Sequence, residues 1–241
     1  MNKRGSHVGM VISFLIFILF LIFIYAALQP AIKLERDKKV ILEGVKNKII
    51  NYFDVNLTTV IIEVKKQENP GAGIDCLKFN LNKIILDPSE KSFFVRTIDG
   101  NPVEFNIENN QLKIEWDGNS GVFYKIYISE QNFSSGLFSP TNCVDFTELD
   151  YEIRATQKEK YLGLDKIIYF MNHSVENKEA NKEYLRVPKD SEFDISVVSD
   201  EINFPYPENN LKTNVYSEEI PLKYLNNQAR IVPFFMRIRV W

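Results

Sequence analysis

Histidine and cysteine are scarce: the 241 residues hold two of each. His7 adjoins an apolar run and His173 stands alone in Asn172-His173-Ser174, so a histidine-rich metal site cannot be assembled. The cysteine spacing matches no zinc motif, and no nucleophile has a visible base partner. Gly71-Ala72-Gly73 lacks the third glycine and the strand-to-helix context of a dinucleotide loop, which leaves it a turn, and no phosphate-binding P-loop pattern occurs. Excess basic charge is missing too. The net charge is −3, and because Lys3 and Arg4 contribute +2, everything beyond them carries −5. Phosphate recognition needs clustered Lys and Arg, so no nucleic-acid partner is expected. No catalytic, cofactor-binding or metal-binding residue is assigned, and the chain is read as a non-enzyme.

What is present is a long stretch without a formal charge. Residues 8–28 are 21 apolar or small residues broken only by Ser13, the length of a membrane-spanning helix. Fifteen of them are Leu, Ile, Phe or Val, and at roughly 0.3–0.6 kcal/mol each they favour insertion by about 5–9 kcal/mol. A cleaved signal peptide has an apolar core of roughly 7–15 residues ending in a small-x-small site. This run is longer and its exit, Tyr25-Ala26-Ala27, matches poorly, so an anchor is expected. Lys33, Arg36, Lys38 and Lys39 outnumber Lys3 and Arg4, which by charge alone favours the opposite orientation. A large domain after a short tail translocates largely regardless of charge. Residues 1–7 are therefore placed in the cytoplasm and the C-terminal domain outside the cell.

Pro30 should kink or break the helix at the membrane surface, because it lacks an N–H and its ring crowds the preceding turn. Beyond it, Leu34, Ile41, Leu42, Val45, Ile49 and Phe53 recur at near-helical spacing with charged residues between them. This predicts an amphipathic juxtamembrane helix over 29–53 that packs its stripe on the domain.

Residues 54–241 read as one β-rich domain, giving an α+β chain overall. Residues 57–64 are β-branched; Leu77, Phe79 and Leu81 alternate with polar residues, as do Val103, Phe105 and Ile107, then Leu112, Ile114 and Trp116 across Asn109-Asn110, then Val122 to Ile128. Alternation at period two with short turns predicts a mainly antiparallel sheet. Leu164, Ile167, Ile168 and Met171 mark a short helix, and 176–183 either extend it or form a loop. Residues 193–198 and 214–225 look extended, and Phe234, Met236, Ile238 and Val240 form one face of a last strand that should dock in the sheet. Cys76 and Cys143, the only cysteines, are read as one disulfide if the domain lies in an oxidising compartment, with two unpaired thiols as the alternative. Asn56, Asn132 and Asn172 each head an Asn-x-Ser/Thr sequon.

Lys3-Arg4-Gly5 before a continuous apolar helix, a proline near its outer end, an amphipathic second half and a β-rich head with paired cysteines resemble a type IV pilin-like protein of the archaeal type. The resemblance implies cleavage after Gly5 by a prepilin peptidase and packing of the apolar helix in a filament core.

One acidic constellation stands out. Glu148, Asp150 and Glu152 alternate with Leu149, Tyr151 and Ile153, which on a strand places three carboxylates on one face. Such a row would hold a hard cation if a loop completed the shell, or serve glycoside hydrolysis if a second carboxylate faced it. A solvated edge-strand face is preferred, because like charges along a strand repel and no partner loop is identifiable. Phe133, Leu137 and Phe138 make an apolar loop expected to tuck onto the core rather than form a contact tip. The expectation is a single-pass protein whose partners are the bilayer and another protein, self-assembly included. Its role is structural or in interaction; the alternatives are a pilin-like or pseudopilin subunit and a membrane-tethered hydrolase.

Overall fold

A computed structural model describes residues 5–65, 74–84, 91–116, 122–134, 138–140, 142–145, 150–174, 176–206 and 215–241. The apolar run and the amphipathic stretch after it form one helix, α1 (Gly5–Phe53), about 74 Å long at 1.5 Å per residue. Of the kink or break expected at Pro30, the break does not occur; helical backbone continues on both sides of it. A proline removes one backbone bond and strains one turn, whereas propagation from long flanking helix on either side adds a bond per residue. Within α1, Val8–Gln29 is long and apolar enough to cross a membrane, and none of it is buried.

After α1 come β1 (Asp54–Val64), β2 (Cys76–Asn80), the single turn α2 (Leu81–Ile84), β3 (Ser92–Thr97), β4 (Phe105–Glu108), β5 (Gln111–Glu115), β6 (Phe123–Ser129) and β7 (Cys143–Asp145). The remainder forms β8 (Tyr151–Gly163), α3 (Leu164–His173), α4 (Lys178–Leu185), β9 (Phe193–Val198), β10 (Asn203–Phe204), β11 (Tyr216–Leu225) and β12 (Ile231–Val240). The architecture is α+β. One sheet has eight strands in the order β10-β9-β12-β11-β8-β1-β6-β3, and a second has four, β4-β5-β2-β7. Pairing is antiparallel except at two places, β2 with β7 and β11 with β8. The turn expected at Asn109-Asn110 joins β4 to β5, and both residues have positive φ, 51° and 62°; a two-residue hairpin turn of this hand needs that at both positions, and asparagine tolerates it.

The large sheet is two halves with separate cores. On the β9-β12-β11 half, alternate residues Phe234, Met236, Ile238 and Val240 of β12 are buried against α1, α3 and their neighbours. The stripe of α1 completes that core: Val45, Ile49 and Phe53 have no exposed surface and Leu42 is buried. Polar bonds fix the helix in place, with Lys46 Nζ 2.7 Å from Glu218 Oε1, Lys38 donating to Ser191 Oγ at 2.7 Å and Lys48 to the Tyr184 carbonyl at 2.6 Å. On the β8-β1-β6-β3 half, Val60, Ile62, Val95 and Ile126 pack against Leu77, Phe79, Leu112 and Ile114 of the four-stranded sheet. A smaller cluster of Val55, Leu57, Phe94, Phe133, Leu225 and Ala229 lies at the junction.

Arg96 is buried beside that cluster. Its guanidinium donates to the Gly100 carbonyl at 2.5 Å and the Gln228 carbonyl at 2.7 Å, and lies 5.1 Å from the centre of the Phe94 ring. Cys76 and Cys143 face each other across the parallel β2–β7 pair with Cα atoms 4.6 Å apart, within the range a disulfide spans.

Candidate functional site

The acidic row is only partly within the described residues: Glu148 lies outside them. The Asp150 carbonyl accepts the Lys65 N–H at 2.8 Å, and Glu152 is half-buried at the start of β8. In register, Glu152 stands opposite Glu63 of β1. Two carboxylates so placed repel, and Arg154 relieves this by bonding Glu63 and, at 2.7 Å, Glu152, with Lys65 4.0 Å away. This is a cross-strand ionic cluster. No group of three or more metal-ligating side chains occurs among the described residues. The alternation foreseen there holds for Tyr151, which is buried, and fails at Ile153, which is 39% exposed.

Elsewhere, Phe133 tucks into the junction cluster as foreseen, Phe138 is half-buried, and Leu137 lies outside the described residues, as does the Gly71-Ala72-Gly73 turn. His173 stacks on Tyr169 at 4.4 Å between ring centres, and its Nδ1 lies 2.8 Å from the Tyr169 carbonyl. The three sequon asparagines, Asn56, Asn132 and Asn172, are all exposed.

The feature with the geometry of a binding site is where the two halves of the large sheet part. β8 pairs with β1 along Tyr151 to Leu162, but with β11 only through Leu162 and Gly163. Residues 152–161 of β8 thus have a strand neighbour on one side only among the described residues, and 216–223 of β11 likewise pair only with β12. Gly163 sits at the vertex, where a Cβ would lie 2.8 Å from Val55 Cγ1 and 3.0 Å from Gln131 Oε1. A side chain at 163 would force the Val55 or Gln131 side chain to shift, so glycine permits this close approach of β8 to β1 and the 131 loop.

From this vertex opens a cleft of about 520 Å³. Leu162 and Phe234 are its buried apolar walls, Leu222 is half-buried, and Pro221, Pro233 and Phe235 form the exposed rim. Pro221 stands opposite Phe235, and Lys223 opposite Pro233, in the β11–β12 register. Pro221 lies on the open edge of β11 and Pro233 on the stretch of β12 before its pairing with β9 begins at Phe235, and a strand with one neighbour does not use every N–H.

The charged groups lining the cleft are Lys160, Lys223 and Asp54. Neither lysine side chain has an ion-pair or hydrogen-bond partner among the described residues. Lys166 Nζ donates to the Asp54 carbonyl at 2.6 Å and ties α3 to the head of β1 beside the opening. Burial pushes the Tyr161 phenol above its ordinary range, and a hydrogen bond with the Glu159 carboxylate pushes the same way. The phenol therefore stays protonated at neutral pH.

Such a cleft offers two open backbone edges, an apolar floor and two free ammonium groups, which suits binding. Sequence reasoning singled out none of Lys160, Tyr161, Pro221, Lys223, Pro233 or Phe235. Two signals were available: a proline inside each of two strand-like stretches, and eight polar or small residues in a row before Tyr161 relieved only by Ile153. Both mark strand edges. Comparison with family models, with curated proteins and with solved structures finds no match to this chain.

Proposed function

We propose that this is a single-pass membrane protein that displays a β-rich domain outside the cell in an interaction role, its N-terminus remaining in the cytoplasm. The observation that carries it is Val8–Gln29: 22 residues, with an 18-residue stretch of mean hydropathy 3.0, none of them buried, continuous with a helix whose far half belongs to the domain core. Apolar surface of that extent is not sustained in water, and a bilayer is the solvent that accepts it. Two cysteines at bridging distance agree with an oxidising compartment, in which they form a disulfide. Three exposed sequon asparagines suit the same side of the membrane. The test is protease added to intact cells, which should remove the domain; a domain protected until lysis refutes the orientation.

A second reading, the pilin-like subunit, is favoured by the shape of α1. Its first half stands free of the domain while Leu42, Val45, Ile49 and Phe53 are embedded in it, the arrangement needed if free halves bundle in a filament core. Intact mass and N-terminal sequence of the mature protein decide between the two. A chain starting at Ser6 supports the filament subunit, and one retaining residues 1–5 supports the plain anchor.

A further inference from the structure

We propose that the cleft between β8 and β11 captures an extended acidic peptide segment of a partner protein by strand addition to the open edge of β8. The proposal rests on the interaction role and names the kind of partner that role requires. A strand with one neighbour leaves half its N–H and C=O groups turned outward, and these are a template for another chain. On β8 this template runs through residues 152–161 among the described residues, about 33 Å at 3.3 Å per residue. Natural edges are blunted by proline, by brevity, by a covering element or by charged side chains; on β8 the charges are Arg154, Lys158 and Lys160 against Glu152 and Glu159, an excess of cations that disfavours a basic strand and leaves an acidic one acceptable. The open stretch of β8 has no proline, is long, and residues 153–160 are all exposed. The facing edge of β11 is blunted by Pro221, so β8 is the edge that accepts the segment while β11 and β12 supply the opposite wall.

Side-chain chemistry selects the segment. Every second residue of an added strand faces the same way; on one face of the sheet they meet Leu222 and Phe234 beside Lys160, and on the other Pro221, Pro233 and Phe235 beside Lys223, so each face takes an apolar side chain with a carboxylate near it. Lys160 on one rim and Lys223 on the other lack partners among the described residues; their nearest acid in the cleft is Asp54, so the lining carries a surplus positive charge that carboxylates complete. The volume, about 520 Å³, falls within the range of small binding pockets and suits a few residues held at the vertex, the rest of the contact being main chain.

The experiment uses the full chain in phosphatidylcholine nanodiscs and a fluorescein-labelled octapeptide of alternating valine and glutamate, with binding read by fluorescence anisotropy. Two control peptides replace glutamate by lysine, or carry N-methyl groups on alternate backbone amides. The expected result is that the acidic peptide binds at least tenfold more tightly than either control. K160E/K223E should lose at least tenfold for the acidic peptide and bind the lysine peptide better, while Phe235→Ser, with the charged rim intact, weakens binding severalfold. Both variants alter exposed side chains, and their near-ultraviolet circular dichroism should match that of the unaltered chain. Equal affinity for the acidic and lysine peptides overturns the proposal, as does indifference to N-methylation, binding only above millimolar peptide, or dimerisation through β8 in place of peptide binding. Protease treatment of intact cells reads the anchor separately, so a displayed domain that fails to bind the peptide refutes the cleft alone.

Discussion

Ile49→Asp abolishes folding of the domain, whereas Val40→Asp, nine residues earlier on the same helix, leaves it unchanged. Ile49 has no exposed surface and lies among the residues of the α1, α3 and β12 core, while Val40 is 65% exposed. A carboxylate at position 49 loses the transfer energy of the isoleucine, roughly 2–3 kcal/mol, and must in addition be buried without a partner or protonated at a further cost of several kcal/mol. The total, about 5 kcal/mol or more, matches the whole stability of many domains. At position 40 the same change alters a solvated face and should fall within about 0.5 kcal/mol. Near-ultraviolet circular dichroism and limited trypsin digestion of the full chain in detergent give the comparison. A folded Ile49→Asp protein would mean that the second half of α1 is a removable arm rather than part of the core.

The helix stripe that makes this prediction was readable without coordinates, because Leu42, Val45, Ile49 and Phe53 repeat at three and four residues and only one face is buried. The same holds for β12, whose buried residues alternate strictly, and for the β4–β5 hairpin, announced by Asn109-Asn110. β3 was not legible. Phe93, Phe94, Val95 and Arg96 are buried in succession, since one face meets the four-stranded sheet and the other the junction cluster, so no period of two exists to be seen. β8 failed for the opposite reason. Its residues 153–160 are exposed on both faces, so nothing apolar marks the strand, and its length comes from the ladder with β1.

Least legible of all was the cleft. It depends on two residues of parallel pairing between β8 and β11, 62 positions apart at Leu162 and Tyr224, and a contact of that separation leaves no local trace. Lys160 and Lys223 therefore looked like ordinary solvated lysines. Pro30 shows the converse, a local signal for a break that cooperative helix on both sides overrides.

Replacing Cys76 and Cys143 together by serine lowers stability by about 4 kcal/mol in the chain-entropy model, with the loss concentrated in the four-stranded sheet. The separation of 67 residues sets that figure, since a bridge closing a long loop restricts the unfolded chain most. The local consequence follows from β7. It has three residues and pairs with β2 alone at Cys76, Leu77 and Lys78 among the described residues; the Asn142 carbonyl accepting the Asp75 N–H at 3.0 Å, the Lys78–Asp145 pair at 3.3 Å and half-buried Val144 on the core add to its hold. Asp145 is exposed, and an exposed pair contributes little. Without the bridge β7 should detach and open one edge of β2, whereas β9 and β12, in the other core, keep their protection. Hydrogen exchange of the full chain in detergent, with and without reductant, reads this directly: β2 and β7 amides should exchange faster on reduction while those of β12 do not change. Iodoacetamide without reductant should leave both cysteines unlabelled in the unaltered protein. Quantitative labelling of both, or uniform loss of protection across the two cores on reduction, would refute the bridge or its confinement to the small sheet.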